Sequence, residues 1–138
     1  MEQKRKPLKV LMDANAFFVP FQFQIDVFEE LKRLLNRRFE PVILRDTYEE
    51  IKRLAEEGAP KIRRQALAAL KLAEKCRILS IEPSFQSASH DDLIVEAARR
   101  WKCPVFTNDR VLRNRLRDIN VPVIYLRQKS RLEIEGRI

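Results

Sequence analysis

The chain has 138 residues, of which 45% are hydrophobic and 35% charged, which excludes a disordered chain and suits one folded domain with a proper core. Its 28 Lys and Arg outnumber 20 Asp and Glu, a formal charge of +8 that points to an acidic partner. No apolar run reaches membrane-spanning length, no basic helix carries an aromatic-rich apolar face, and Met1-Glu2-Gln3-Lys4-Arg5-Lys6 lacks the apolar core of a signal peptide, so a cytoplasmic protein without membrane contact is expected.

The first strand is predicted at Leu8–Met12 and ends on Asp13. Ile25, Phe28, Leu31, Leu34 and Leu35 then repeat at helical spacing, after a Phe-rich stretch at residues 17–23 that suits core or dimer packing and, as a second reading, base stacking. A second strand is predicted over residues 41–44, followed by a helix through Ile51 and Leu54 and, after Gly58-Ala59-Pro60, a helix from Ile62 to Ala73. Residues 77–81 form the third strand, and a polar loop leads to a helix carrying Leu93, Ile94, Ala97 and Ala98. Residues 105–107 and 121–126 complete five strands around a helix with Val111, Leu112 and Leu116. Alternating strands and helices imply an α/β domain with a parallel sheet covered on both faces, its core at residues 8–126. Residues 127–138 read as a charged tail that frays or frames a dimer contact. Cys76 and Cys103 read as buried apolar residues at strand entrances, with a disulfide as the alternative; with one His in the chain, a structural zinc site is excluded. Few Gly (2) against 7 Pro, with many charged residues, suit a thermophile.

In a parallel sheet all strand C-termini open onto one edge, and four acids fall there: Asp13, Glu50, Asp91 and Asp109. Each has an ordinary alternative. Asp13 caps the next helix or binds a ligand. Thr47-x-x-Glu50 reads as a capping box, which accounts for Glu50 by itself. Ser89 with Asp92 reads as another, leaving Asp91 free to point into the edge. Asp109 follows Thr107 and Asn108, either of which is a candidate cap. Capping does not require four acids to converge, however, and converging carboxylates repel unless a cation joins them. Mg²⁺ or Mn²⁺ answers that repulsion and suits phosphodiester hydrolysis without a His or Lys base. A positive surface then holds the polyanion; Arg45, His90 and Arg110 are the candidates nearest the edge, though for His90 a local hydrogen bond is the simpler reading. Strand order is not visible in the sequence. If the chain returns past the first strand to place the fourth, Asp13 and Asp109 face each other across the resulting crevice.

In order, Met12-Asp13-Ala14-Asn15, Thr47-Tyr48-Glu49-Glu50-Ile51, His90-Asp91-Asp92-Leu93-Ile94 and Thr107-Asn108-Asp109 resemble the motif set of PIN-domain nucleases. The stretch from Ala16 to Phe23 further resembles a small archaeal branch related to PIN proteins of ribosomal RNA processing, some of whose members are labelled VapC-type toxins. The resemblance implies a three-layer α/β/α sandwich of five strands in the order 3-2-1-4-5 and an Mg²⁺- or Mn²⁺-dependent endoribonuclease. It implies Asp13, Glu50, Asp91 and Asp109 as catalytic metal ligands, supported by Asn15 and Thr107. Its partners would be RNA and, by setting, a second protomer, an antitoxin or a ribosome-assembly partner. Ala14 departs from the pattern, since many members carry Thr there.

Two other readings compete. An Asp-based phosphohydrolase wants a second Asp two residues after Asp13, where this chain has Asn15, and a receiver domain wants an acidic pair where Leu11-Met12 stand. A PIN-like module that binds RNA without cutting it is the other; the complete acidic set argues against it.

Overall fold

Five short runs rich in branched apolar residues form parallel strands: β1 (Leu8–Met12), β2 (Phe39–Leu44), β3 (Arg77–Leu79), β4 (Val105–Phe106) and β5 (Val123–Arg127). The computed structural model describes residues 6–84 and 88–138; the first five residues and residues 85–87 of the polar loop lie outside it. The sheet order is β3-β2-β1-β4-β5-β6, so the expected 3-2-1-4-5 core is present and gains a sixth strand. Leu11 pairs with Val42 of β2 on one side and Val105 of β4 on the other, which places the switch point between β1 and β4.

Both faces of the sheet are buried because successive strand residues point to opposite sides. Val10, Met12, Ile43, Phe106 and Ile124 pack into one core with α2 (Val27–Leu35), α3 (Arg45–Glu57) and α4 (Pro60–Ala73). Leu11, Val42, Leu44, Val105 and Val123 pack into the other with α5 (His90–Trp101) and α6 (Arg110–Asp118). Each such side chain, fully buried, contributes about 1.5–3 kcal/mol.

Helix starts set the directions of the polar groups at the sheet edge. Ser89 and Asp92 make the expected capping box at α5. The expected box of Thr47 and Glu50 does not form: α3 already starts at Arg45 behind Leu44, so Thr47 lies inside the first turn and is fully buried. At α6 the cap is Asp109 itself, accepting from the amides of Val111 at 2.9 Å and Leu112 at 3.3 Å, in place of Thr107 or Asn108.

The Phe-rich stretch divides between core and surface. It forms a 3₁₀ turn (Ala14–Phe18) and the short helix α1 (Val19–Phe23). Phe17 is buried and Phe18 and Phe23 pack against the same core, while Phe21 is exposed. Both cysteines are buried and free, and burial pushes the Cys76 thiol up to about 12 and the Cys103 thiol up to about 11.

The segment read as a charged tail is instead the edge strand β6 (Arg131–Glu135), antiparallel to β5. Leu132 supplies its apolar anchor at 0% exposure. The outward backbone groups of Leu132 are covered by α2: its N–H donates to Glu30 Oε1 at 3.3 Å and its carbonyl accepts from Arg33 at 3.1 Å. The Arg33 hydrogen bond leads in holding the Glu30 carboxyl below its usual range. Covered backbone groups do not recruit a foreign strand. Gly136 then turns the chain at φ +99°, where a side chain would crowd Pro122. A strand anchored in this way contributes to global stability: Leu132→Ala is expected to lower the unfolding free energy by about 2–5 kcal/mol in urea denaturation. A fraying tail would leave the urea midpoint where it was.

Candidate active site

Asp13 leaves β1 in extended conformation and is 5% exposed, so its carboxylate must find partners inside the protein. Oδ1 accepts from the Ala14 amide at 2.8 Å. Oδ2 accepts from the Thr107 hydroxyl at 2.7 Å and the Asn15 amide at 3.2 Å. Thr107, fully buried at the end of β4, also accepts from the Asp109 amide at 3.1 Å. Asn15 in turn accepts the Asn108 amide at 3.1 Å, and Asn108 accepts that of Leu126 at 2.8 Å. The ends of β1, β4 and β5 are thereby stitched into one polar network around Asp13.

His90 completes the network from α5. Its Nε2 lies 3.3 Å from Asp13 Oδ1 and its Nδ1 2.9 Å from Asp46 Oδ2, so a ring between two carboxylates carries a proton on both nitrogens. The hydrogen bond to Asp13 leads in pushing the imidazole up to about 9; burial opposes it, and Asp46 adds to it. The Thr47 hydroxyl sits 3.3 Å from Nε2. Asp46 and Thr47 therefore belong to the site through contacts that the local sequence does not display. An acid in the first turn of a helix reads as favouring the helix dipole, and its partner here is 44 residues away.

The other expected acids fall into two groups. Asp91, in the first turn of α5, lies within electrostatic range of both Asp13 and Asp109, the cap of α6. Burial first, then the charges of Asp109 and Asp13, hold the Asp91 carboxyl above its ordinary range, against the opposing fields of His90 and Arg115. Glu50 instead makes a two-toothed pair with Arg53, at 2.7 Å and 3.3 Å, on the flank of α3. Arg45 and Arg110 stand exposed at the first turns of α3 and α6.

These donors suit a hard divalent cation in kind. They are carboxylate oxygens, and the mutual repulsion that raises Asp91 is the field a cation relieves. Among the described residues they do not form a closed coordination group, and the His90 ring faces one oxygen of Asp13.

Comparison with known proteins bears on the family and the fold. A family model described as "PIN like domain" matches residues 10–129. The chain is 30% identical over 130 residues to Ribonuclease VapC4 of Methanocaldococcus jannaschii, covering 94% of this chain and 98% of that one. It is 26% identical over 125 residues to Ribonuclease VapC9 of Archaeoglobus fulgidus, covering 91% and 87%. The solved structure of the PIN domain endonuclease Utp24 superposes with a TM-score of 0.76 at 27% identity, covering 96% of this chain and 94% of that one.

Three outcomes test the network. The single imidazole of the metal-free protein should titrate near 9 by NMR and fall back toward 6.5 in Asp13→Asn. Its folded value lies above its unfolded one, so its contribution to stability is complete below about 6.5 and is lost as pH rises through about 9. The melting temperature of the metal-free protein should decline across that window, less so in His90→Gln. Thr107→Val removes the donor to a buried carboxylate; it should cost about 1–3 kcal/mol in urea denaturation.

Proposed function

The chain belongs to the PIN-like domain family, and from that premise we propose that it is a metal-dependent endoribonuclease that hydrolyses phosphodiester bonds of single-stranded or structured RNA. The observation that carries this reading is the buried Asp13 carboxylate, held in a single orientation beside Asp91 and Asp109 at the open edge of the sheet. Building such a group is costly, and capping alone does not require it. The names of the two VapC relatives support RNA as the substrate.

Asp13, Asp91 and Asp109 would hold the cation, with Glu50 completing the set once it exchanges its pairing with Arg53. Mg²⁺ or Mn²⁺ bound there would activate water for attack on phosphorus and stabilise charge on the departing oxygen. Thr107 and Asn15 act through Asp13: their hydrogen bonds hold Oδ2 in place, and a cation at Oδ1 would take the position that the His90 ring now faces. His90 puts a positive charge beside the edge, and exposed Arg45 and Arg110 flank it, which suits the phosphates of an incoming strand. The setting we favour is cytoplasmic RNA processing or VapC-type toxin action. An antitoxin would partner the latter, a ribosome-assembly partner the former, and a homodimer is compatible with both.

With Mg²⁺ or Mn²⁺ the protein should cut a labelled single-stranded RNA, and EDTA should stop it. Asp13→Asn and Asp91→Asn should lower the rate more than about 100-fold while RNA binding persists; Thr107→Val should lower it about 10–100-fold. RNA binding without cutting in either metal would identify a non-catalytic module. Cutting that survives Asp13→Asn unchanged would belong to a contaminant.

A further inference from the structure

Few cations stand beside the acidic edge, so a long RNA gains affinity from positive surface elsewhere. Besides a cleft lined by Arg99, Lys102 and Arg137 but by no aromatic ring, two clefts carry several cations. In the one along α5 and α6, Arg115 pairs with Asp92 at 2.9 Å and Arg100 pairs with Glu96, so acids offset the bases. The second, about 570 Å³, differs. Four cations line it, Lys32, Arg37, Arg38 and Lys75, with the rings of Phe28 and Phe39, and among the described residues no carboxylate does.

The topology places this cleft far from the candidate active edge. Pro7 precedes β1, Arg37 and Arg38 precede β2, and Lys75 precedes β3, so the cleft lies at the N-terminal ends of three parallel strands. Asp13 and Asp109 lie at the C-terminal ends of β1 and β4. Lys32 meets an acid outside the cleft, Glu29 at 3.1 Å, but both side chains are about two-thirds exposed, and such a pair yields readily to a phosphate. Lys75 stands 5.7 Å from the centre of the Phe28 ring. Cations of one sign around half-buried rings match a nucleic acid strand in both its parts: phosphates meet the charges, and bases meet apolar ring surface. An acidic protein segment would use the charges alone.

We propose that this cleft is a second RNA-binding site, which anchors a single-stranded flank of the substrate while another segment is cut at the Asp13 edge. The inference rests on the ribonuclease reading above. The chain advances six residues from Pro7 to Asp13 along β1, about 20 Å at roughly 3.3 Å per residue. Because β1 is buried on both faces, a strand has to run around the sheet rather than along this straight line, so four nucleotides, even stretched to about twice the stacked rise of roughly 3.4 Å, do not reach both places. A tetranucleotide therefore occupies one site only, whereas a longer strand gains from both.

The test compares a 4-nucleotide with a 30-nucleotide single-stranded RNA, using the wild type and a Lys32→Ala/Arg37→Ala/Lys75→Ala variant. All three side chains are exposed, so the melting temperature should not move, and Arg38, which has contacts within the protein, stays in place. In the variant, KM for the long RNA should rise on the order of tenfold, with kcat and all constants for the short RNA unchanged. Binding of the long RNA in EDTA should lose about 2 from its logarithmic salt slope, about 0.7 for each lost phosphate contact. An unchanged KM and salt slope would overturn the proposal. So would unchanged RNA binding with loss of binding to a poly-glutamate peptide, which assigns the cleft to a protein. If the wild type cuts neither RNA, the ribonuclease reading fails, while the salt slope in EDTA still decides the anchor.

Discussion

One buried contact organises the candidate active edge: the Thr107 hydroxyl donating to Asp13 at 2.7 Å. It joins the ends of β1 and β4 across 94 residues of chain, at the point where the strand order reverses. A carboxylate removed from water loses several kcal/mol of solvation unless donors replace it. Ala14, Asn15, Thr107 and His90 do so here, and each arrives on a different trajectory fixed by the fold. Remove the register between β1 and β4 and Thr107 no longer reaches Asp13, which keeps only local donors such as Ala14 and Asn15 from the adjoining turn.

Helix capping and cation binding read as rivals in the sequence, yet capping here takes one oxygen of the carboxylate. Asp109 satisfies two amides of α6 with Oδ1 alone. Asp91 sits in a first turn, where the helix dipole favours negative charge, and is at the same time strained by burial and by Asp109 and Asp13. Helix N-termini thus help a positively charged chain to keep a small negative region. His90 contributes in the same direction, since its protonated ring compensates Asp13 and Asp46 together, through contacts that no local pattern announces.

The charge distribution has a functional logic at the scale of the molecule. Part of the excess of +8 lines a cleft at the far ends of β1, β2 and β3, away from the acids that would do chemistry. Separating the groups that attract a polyanion from the groups that act on it avoids neutralising either. The parallel sheet provides that separation, since its two ends are held a strand length apart.

What the sequence determined by itself is what depends on neighbours along the chain. β1 is bounded as its apolar run predicts, the α5 cap forms between Ser89 and Asp92, and apolar periodicity places each long helix. The motif set also carried the family, because its order along the chain survives without coordinates. Only the tertiary structure decided what depends on distant segments. Thr47 looked like a cap until α3 began two residues earlier and buried it against His90. Glu50 has an edge position in sequence, and the structure pairs it with Arg53 one turn on. Residues 131–135 carry Leu132 and Ile134 amid charge, too weak an alternation to read as a strand, and became one because β5 offered an unpaired edge and α2 covered the other side. Local free energies are written in consecutive residues, whereas these contacts exist only once strands remote in sequence are laid side by side.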